Sequence, residues 1–138
     1  MATFNLVNSF VEACAEKAHN LGSDTLTVAL TAAANAPVAT NTVLANLTQV
    51  AYTYCSTRAI TTTSSSQTSG TYTLVLQDLT LTASGGAVGP FRYVVIYNDT
   101  ATNDELIGWY DYGSEITLAA GETILLDFSA YTIQLAPA

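Results

Sequence analysis

A chain of 138 residues holds one domain's worth of structure and can close an apolar core without a disulfide or a metal. Apolar residues make up 49% of it and charged residues only 10%, against roughly 25% in an average soluble domain, so threonine, serine and alanine must supply much of its surface. Eleven acids stand against three scattered bases, Lys17, Arg58 and Arg92, and this balance argues against nucleic-acid binding and against an electrostatic anchor on anionic lipid.

The N-terminal stretch Met1–Val11 has no positively charged region and is interrupted by Asn5, Asn8 and Ser9, so it does not read as a secretory signal. No segment approaches the 18 or more apolar residues of a membrane helix. Ser9-Phe10-Val11-Glu12 has the form of a capping box, with Phe10, Cys14, Ala18 and Leu21 at helical spacing and Leu21-Gly22 as a stop. This predicts a helix over Phe10–Asn20, with Glu12, Glu16 and Lys17 facing solvent.

The period then changes. Asp24–Thr31 alternates strictly, with Leu26, Val28 and Leu30 on one side, as in a half-buried strand. A loop from Ala32 to Ala39 contains Pro37, and Val43, Leu44, Leu47 and Val50 repeat at the spacing of a short helix. Arg58–Thr63 reads as a strand and Ser64–Gly70 as a polar, flexible connection.

In Tyr72–Thr82 the apolar parity switches across Gln77-Asp78: Tyr72, Leu74 and Leu76 precede the switch, Leu79 and Leu81 follow it. Either a β-bulge or a strand passing from one sheet to another accounts for that. Gly85-Gly86 and Gly89-Pro90 flank a turn. Phe91–Tyr97 is apolar on both faces except for Arg92, which places it centrally in a sheet. Asn98–Asp104 is an acidic turn, Leu106–Tyr112 a strand, and Gly113-Ser114 a turn into Ile116–Leu118. Thr123–Phe128 and Tyr131–Leu135 complete the set. About eight short strands with turn signals between them predict a mainly β protein, an antiparallel β-sandwich or jelly roll with a short N-terminal helix. Residues 1–138 form a single domain, with an N-terminal arm and helix over 1–22 and a β-rich body over 23–138.

The residues offer little catalytic chemistry. His19 is the one histidine, and its place near the end of the predicted helix suits a partner of the helix dipole. Cys14 lies five positions away, off the same helical face, and no Ser-His-Asp set can be assembled without that histidine. One histidine and two distant cysteines do not make a zinc centre, and Cys14 and Cys55 are expected as buried free thiols. Asn98, Asp99, Asp104 and Glu105 offer hard oxygens for calcium, but without the alternation and glycine of an EF-hand, and a solvated acidic turn fits them better. Asp111, Glu115, Glu122 and Asp127 read as surface carboxylates more readily than as a glycosidase pair. The expectation is therefore a non-enzyme with no cofactor and no metal site.

Aromatic residues are the remaining lead. Tyr93, Tyr97, Trp109, Tyr110, Tyr112 and Tyr131 fall in the last third of the chain. Alternation separates Trp109 from Tyr110 and Tyr112, so one set points away from the core if that sheet has a solvent face. Trp109, Tyr110 and Tyr112 are thus the candidate protein-contact residues, with burial in the core as the competing reading.

The segment Tyr97–Gly113, with Ile116-Thr117-Leu118 and Gly121-Glu122-Thr123 after it, resembles the C-terminal half of small structural proteins of tailed bacteriophages. In size and layout the chain is similar to a jelly-roll cement, or decoration, protein of a podophage-type capsid; the likeness covers Arg92–Leu135 well and the first half in outline. The resemblance implies a protein made in the host cytoplasm and placed on the capsid exterior. There it would bind the major capsid protein and self-associate as a dimer or higher oligomer, away from nucleic acid and membrane. The residues Met1–Asn8 would be free to extend over a neighbour. Two other readings stay open: a carbohydrate- or receptor-binding module using outward aromatics, and a tail or head–tail adaptor.

Overall fold

The computed structural model describes residues 4–128 and 133–136. Among the described residues the chain forms ten strands and one α-helix: β1 (Phe4–Leu6), α1 (Phe10–Ala15), β2 (Leu26–Thr31), β3 (Ala59–Ile60), β4 (Thr62–Thr68), β5 (Thr71–Leu76), β6 (Leu79–Thr82), β7 (Val88–Asn98), β8 (Leu106–Leu118), β9 (Thr123–Leu126) and β10 (Ile133–Leu135). All pairings among them are antiparallel. A five-stranded sheet runs β1-β8-β7-β2-β3, a three-stranded sheet β10-β5-β4, and a two-stranded one β6-β9. The protein is mainly β, with the make-up of a β-sandwich of about ten strands.

The five-stranded sheet holds the core. Its register puts Leu26, Val28, Leu30, Val94, Ile96 and Tyr110 on one face, where they join Leu74, Leu76, Leu81, Leu126 and Ile133 of the smaller sheets in a single apolar cluster. Each large side chain withdrawn from water here contributes roughly 1.5–3 kcal/mol. The opposite face carries Thr27, Ala29, Thr31, Tyr93, Val95 and Tyr97, and these are buried as well. The segment between β2 and β3 supplies neighbours for that side. The Tyr52 hydroxyl accepts the Leu30 amide at 2.8 Å and donates to Gln49 Oε1 at 2.7 Å. Arg58 stacks on the Tyr52 ring at 3.7 Å while donating to the Val28 carbonyl. The expectation of a half-buried β2 is thereby corrected: all six of its residues are buried.

Several local expectations change for physical reasons. The helix stops at Ala15 instead of Asn20, because Lys17 takes a left-handed conformation (φ 70°). The Ala18 amide then reaches back to the Ala13 carbonyl (2.8 Å) and the Lys17 amide to Cys14, a Schellman closure. Ser9 is itself helical in φ and ψ and makes no side-chain cap among the described residues. The expected helix near Val43 is a single 3-10 turn, Leu44–Asn46. Ser64–Gly70, expected as a flexible connection, is mostly strand: β4 runs to Thr68 and meets β5 through a two-residue turn in which Ser69 and Gly70 have φ of 51° and 84°. Two positive φ values in succession match the twist of a tight hairpin.

At Gln77-Asp78 the chain leaves the three-stranded sheet and enters the two-stranded one, so the parity switch is a corner between sheets. Asp78 holds that corner by accepting the Phe128 amide at 3.0 Å. Phe91–Tyr97 lies between β8 and β2, central as expected. Gly89-Pro90 falls inside β7, and Gly113 (φ 83°) is a bulge within one long β8. Residues 4–6 do not reach outward; they pair with Tyr110, Trp109 and Gly108 of their own chain. Tyr131 and Met1–Thr3 lie outside the described residues.

Candidate functional site

The three aromatic candidates sit on one strand, yet they do not form one surface. Trp109 pairs with Val95 and Asn5 on the face opposite Tyr110. Tyr110 is buried between the Phe4 ring (4.8 Å) and the Phe128 ring (6.0 Å), and burial pushes its hydroxyl well above the usual tyrosine range. Trp109 and Tyr112 are half-buried. Burial and then the charge of Asp127 raise the Tyr112 hydroxyl in the same direction. Tyr93 and Tyr97 are core residues.

One aromatic that sequence reasoning missed is Tyr54, the only exposed aromatic side chain among the described residues. Its ring lies over Gly85-Gly86, where a Cβ on Gly86 would overlap it. The signal was the glycine pair: side-chain-free backbone admits a ring as readily as it makes a turn.

The most developed polar site surrounds His19. A cleft of 1060 Å³ opens between the end of α1, the β7–β8 loop, and Ser65, Tyr72 and Leu135 of the three-stranded sheet. Behind its wall Asn98, fully buried at the end of β7, makes four hydrogen bonds with one amide. Its Nδ2 donates to Asp24 Oδ2 (2.7 Å) and faces His19 Nδ1 (3.0 Å), while its Oδ1 accepts from the amides of Thr100 (3.0 Å) and Ala101 (3.1 Å). Asp24 Oδ2 also accepts the Asn20 amide at 2.8 Å. The His19 ring packs against Phe10 at 5.5 Å. Burial holds its pKa below the usual histidine range, against smaller upward pulls from Glu105 and Asp24.

His19 therefore sits beyond the helix, not in its last turn, and the dipole role gives way to a place in this buried network. Cys14 borders the same cleft, and both Cys14 and Cys55 are half-buried free thiols whose pKa values burial raises.

The remaining charged groups are engaged separately. Arg92 forms a bidentate pair with Asp111 (2.8 and 3.1 Å), which holds that carboxyl below its usual range. Glu115 accepts the Ala33 amide, Glu122 closes its own turn at Ala119, and Glu105 accepts from Asn103. Among the described residues no group of three His, Cys, Asp or Glu side chains is placed to hold a metal ion. Lys17, exposed at the cleft's rim, is the one base whose side chain makes no hydrogen bond or ion pair among the described residues. Comparisons with protein-family models, with curated proteins and with solved structures found no match.

Proposed function

We propose that the chain is a non-enzymatic virion protein that binds the outer surface of a phage capsid, against the major capsid protein, and stabilises the shell. The observation that carries this reading is a surface with stretches of uncharged, hydroxyl-rich residues. Its clearest stretch is β4, seven residues of Thr, Ser and Gln at a sheet edge, with neither charge nor proline to blunt it. Hydroxyl groups are cheaper to desolvate than lysine or glutamate, so such a surface suits broad contact with another protein. Two of the three bases are held within the fold, Arg92 by Asp111 and Arg58 by Tyr52 and the Val28 carbonyl. The net charge of −8 suits a position away from packaged DNA. Self-association multiplies weak contacts, since each further attachment of an oligomer is effectively intramolecular.

Electron microscopy of purified particles tests the reading. Density for this protein repeated over the whole shell is the expected result. A ring at a single vertex makes it a head–tail adaptor instead, and its absence from particles removes the virion role. Quenching of Trp109 fluorescence by sugars, with no shell density, points to glycan recognition.

A further inference from the structure

We infer that His19 and Asn98 form an acid-sensitive latch, which loosens the α1–β2 connection against the β7–β8 loop when His19 takes up a proton at Nδ1. The inference starts from the orientation of the Asn98 amide, which its other partners fix. Asn98 Oδ1 accepts two backbone amides, and Asn98 Nδ2 donates to the Asp24 carboxylate. Turning the amide over would aim its oxygen at a carboxylate and its NH2 at two N–H donors. The second Nδ2 hydrogen is thus directed at His19 Nδ1, which must offer a lone pair. The imidazole is consequently neutral, with its hydrogen on Nε2, an atom buried and without a hydrogen-bond partner among the described residues.

A proton on Nδ1 would put two donors face to face 3.0 Å apart, with no acceptor for either. The charged and titratable groups around the ring come from each element that borders it. Asp24 belongs to the α1–β2 connection and Glu105 precedes β8, while Lys17 and Cys14 come from the end of α1 and Tyr72 from β5. Asp24 and Glu105 favour an imidazolium but make no hydrogen bond to the ring where it lies. The charged ring can turn into the cleft, where both carboxylates stand among the lining residues. That movement strips Asn98 of one of its four side-chain partners and loosens the segment 19–25 against the loop 98–101, which then rests on Asn98–Asp24, on the Thr25 amide at Thr100 Oγ1 (2.9 Å) and on the Asp99 amide at the Thr25 carbonyl (2.9 Å). Burial places the folded pKa of His19 below its unfolded value of about 6.5, so the stability held by the latch is complete above that pH and is lost as pH falls through the folded pKa.

His19 is the only histidine, so imidazole resonances report it without ambiguity. An NMR titration should give a ring midpoint below about 6.5. Across the same midpoint the amides of Asn20, Thr25, Thr100 and Ala101 should lose about tenfold or more of their exchange protection, while Ile96 in the central ladder keeps its own. His19→Gln retains an acceptor for Asn98 but does not titrate, and its protection should stay flat over that interval. A midpoint at or above 6.5, ring titration with unchanged amides, or the same loss in H19Q overturns the latch. If H19Q does not fold, the wild-type titration decides alone.

Discussion

β7 and β4 are both runs in antiparallel ladders, but different forces keep them there. β7 lies between β8 and β2, and from Tyr93 to Asn98 every side chain is buried. Among the described residues β4 lies at an edge and pairs only with β5, and none of its seven residues is buried. Withdrawal of apolar surface from water fixes the first. Backbone hydrogen bonds and the tight turn at Ser69-Gly70 fix the second. One part of the molecule thus carries its stability, and another can meet a partner without putting that stability at risk.

The contrast can be broken most directly at Ile96. Ile96→Ala removes a fully buried side chain from β7 and should cost about 2–5 kcal/mol in denaturant unfolding. Asn98→Ala should follow at about 3 kcal/mol, since it leaves the Asp24 carboxylate and two loop amides short of partners. A loss confined to hydrogen exchange in the 98–104 loop, with global stability intact, would show the network to be local.

Gly108→Ala tests the other edge. A Cβ there would meet the Asn5 carbonyl and the Phe4 ring, so β1 should lift from β8 at a cost of about 1–3 kcal/mol, read as faster exchange of the Val7 amide. Ser66→Ala in β4 should shift stability by less than about 0.5 kcal/mol. A larger loss there would mean that the hairpin is part of the core after all.

The same contrast decides what could be read from the sequence. β7 announced itself because burial on both faces favours apolar residues at successive positions, and a continuous apolar run needs no phase. The corner at Gln77-Asp78 was visible as a change of parity, and the sheets explain it. β4 was invisible: with no buried face its Thr and Ser carry no alternation, so it resembled a linker. The end of α1 was hidden as well, because the left-handed turn fell on Lys17, a residue with no propensity to signal it.

Of the site, Trp109 and Tyr110 were rightly assigned to opposite faces, but only the fold reveals that Tyr110 is core and Tyr54 exposed. The network around His19 joins residues 19, 24 and 98, which meet only when β2 pairs with β7 through Leu26 and Asn98.

The proposal that this protein acts by holding a shell together is tested most directly by heating particles assembled with and without it and following release of packaged DNA. Particles lacking the protein should release their DNA at a lower temperature, and adding the purified protein back should restore resistance. Equal resistance with and without it would contradict the cementing role.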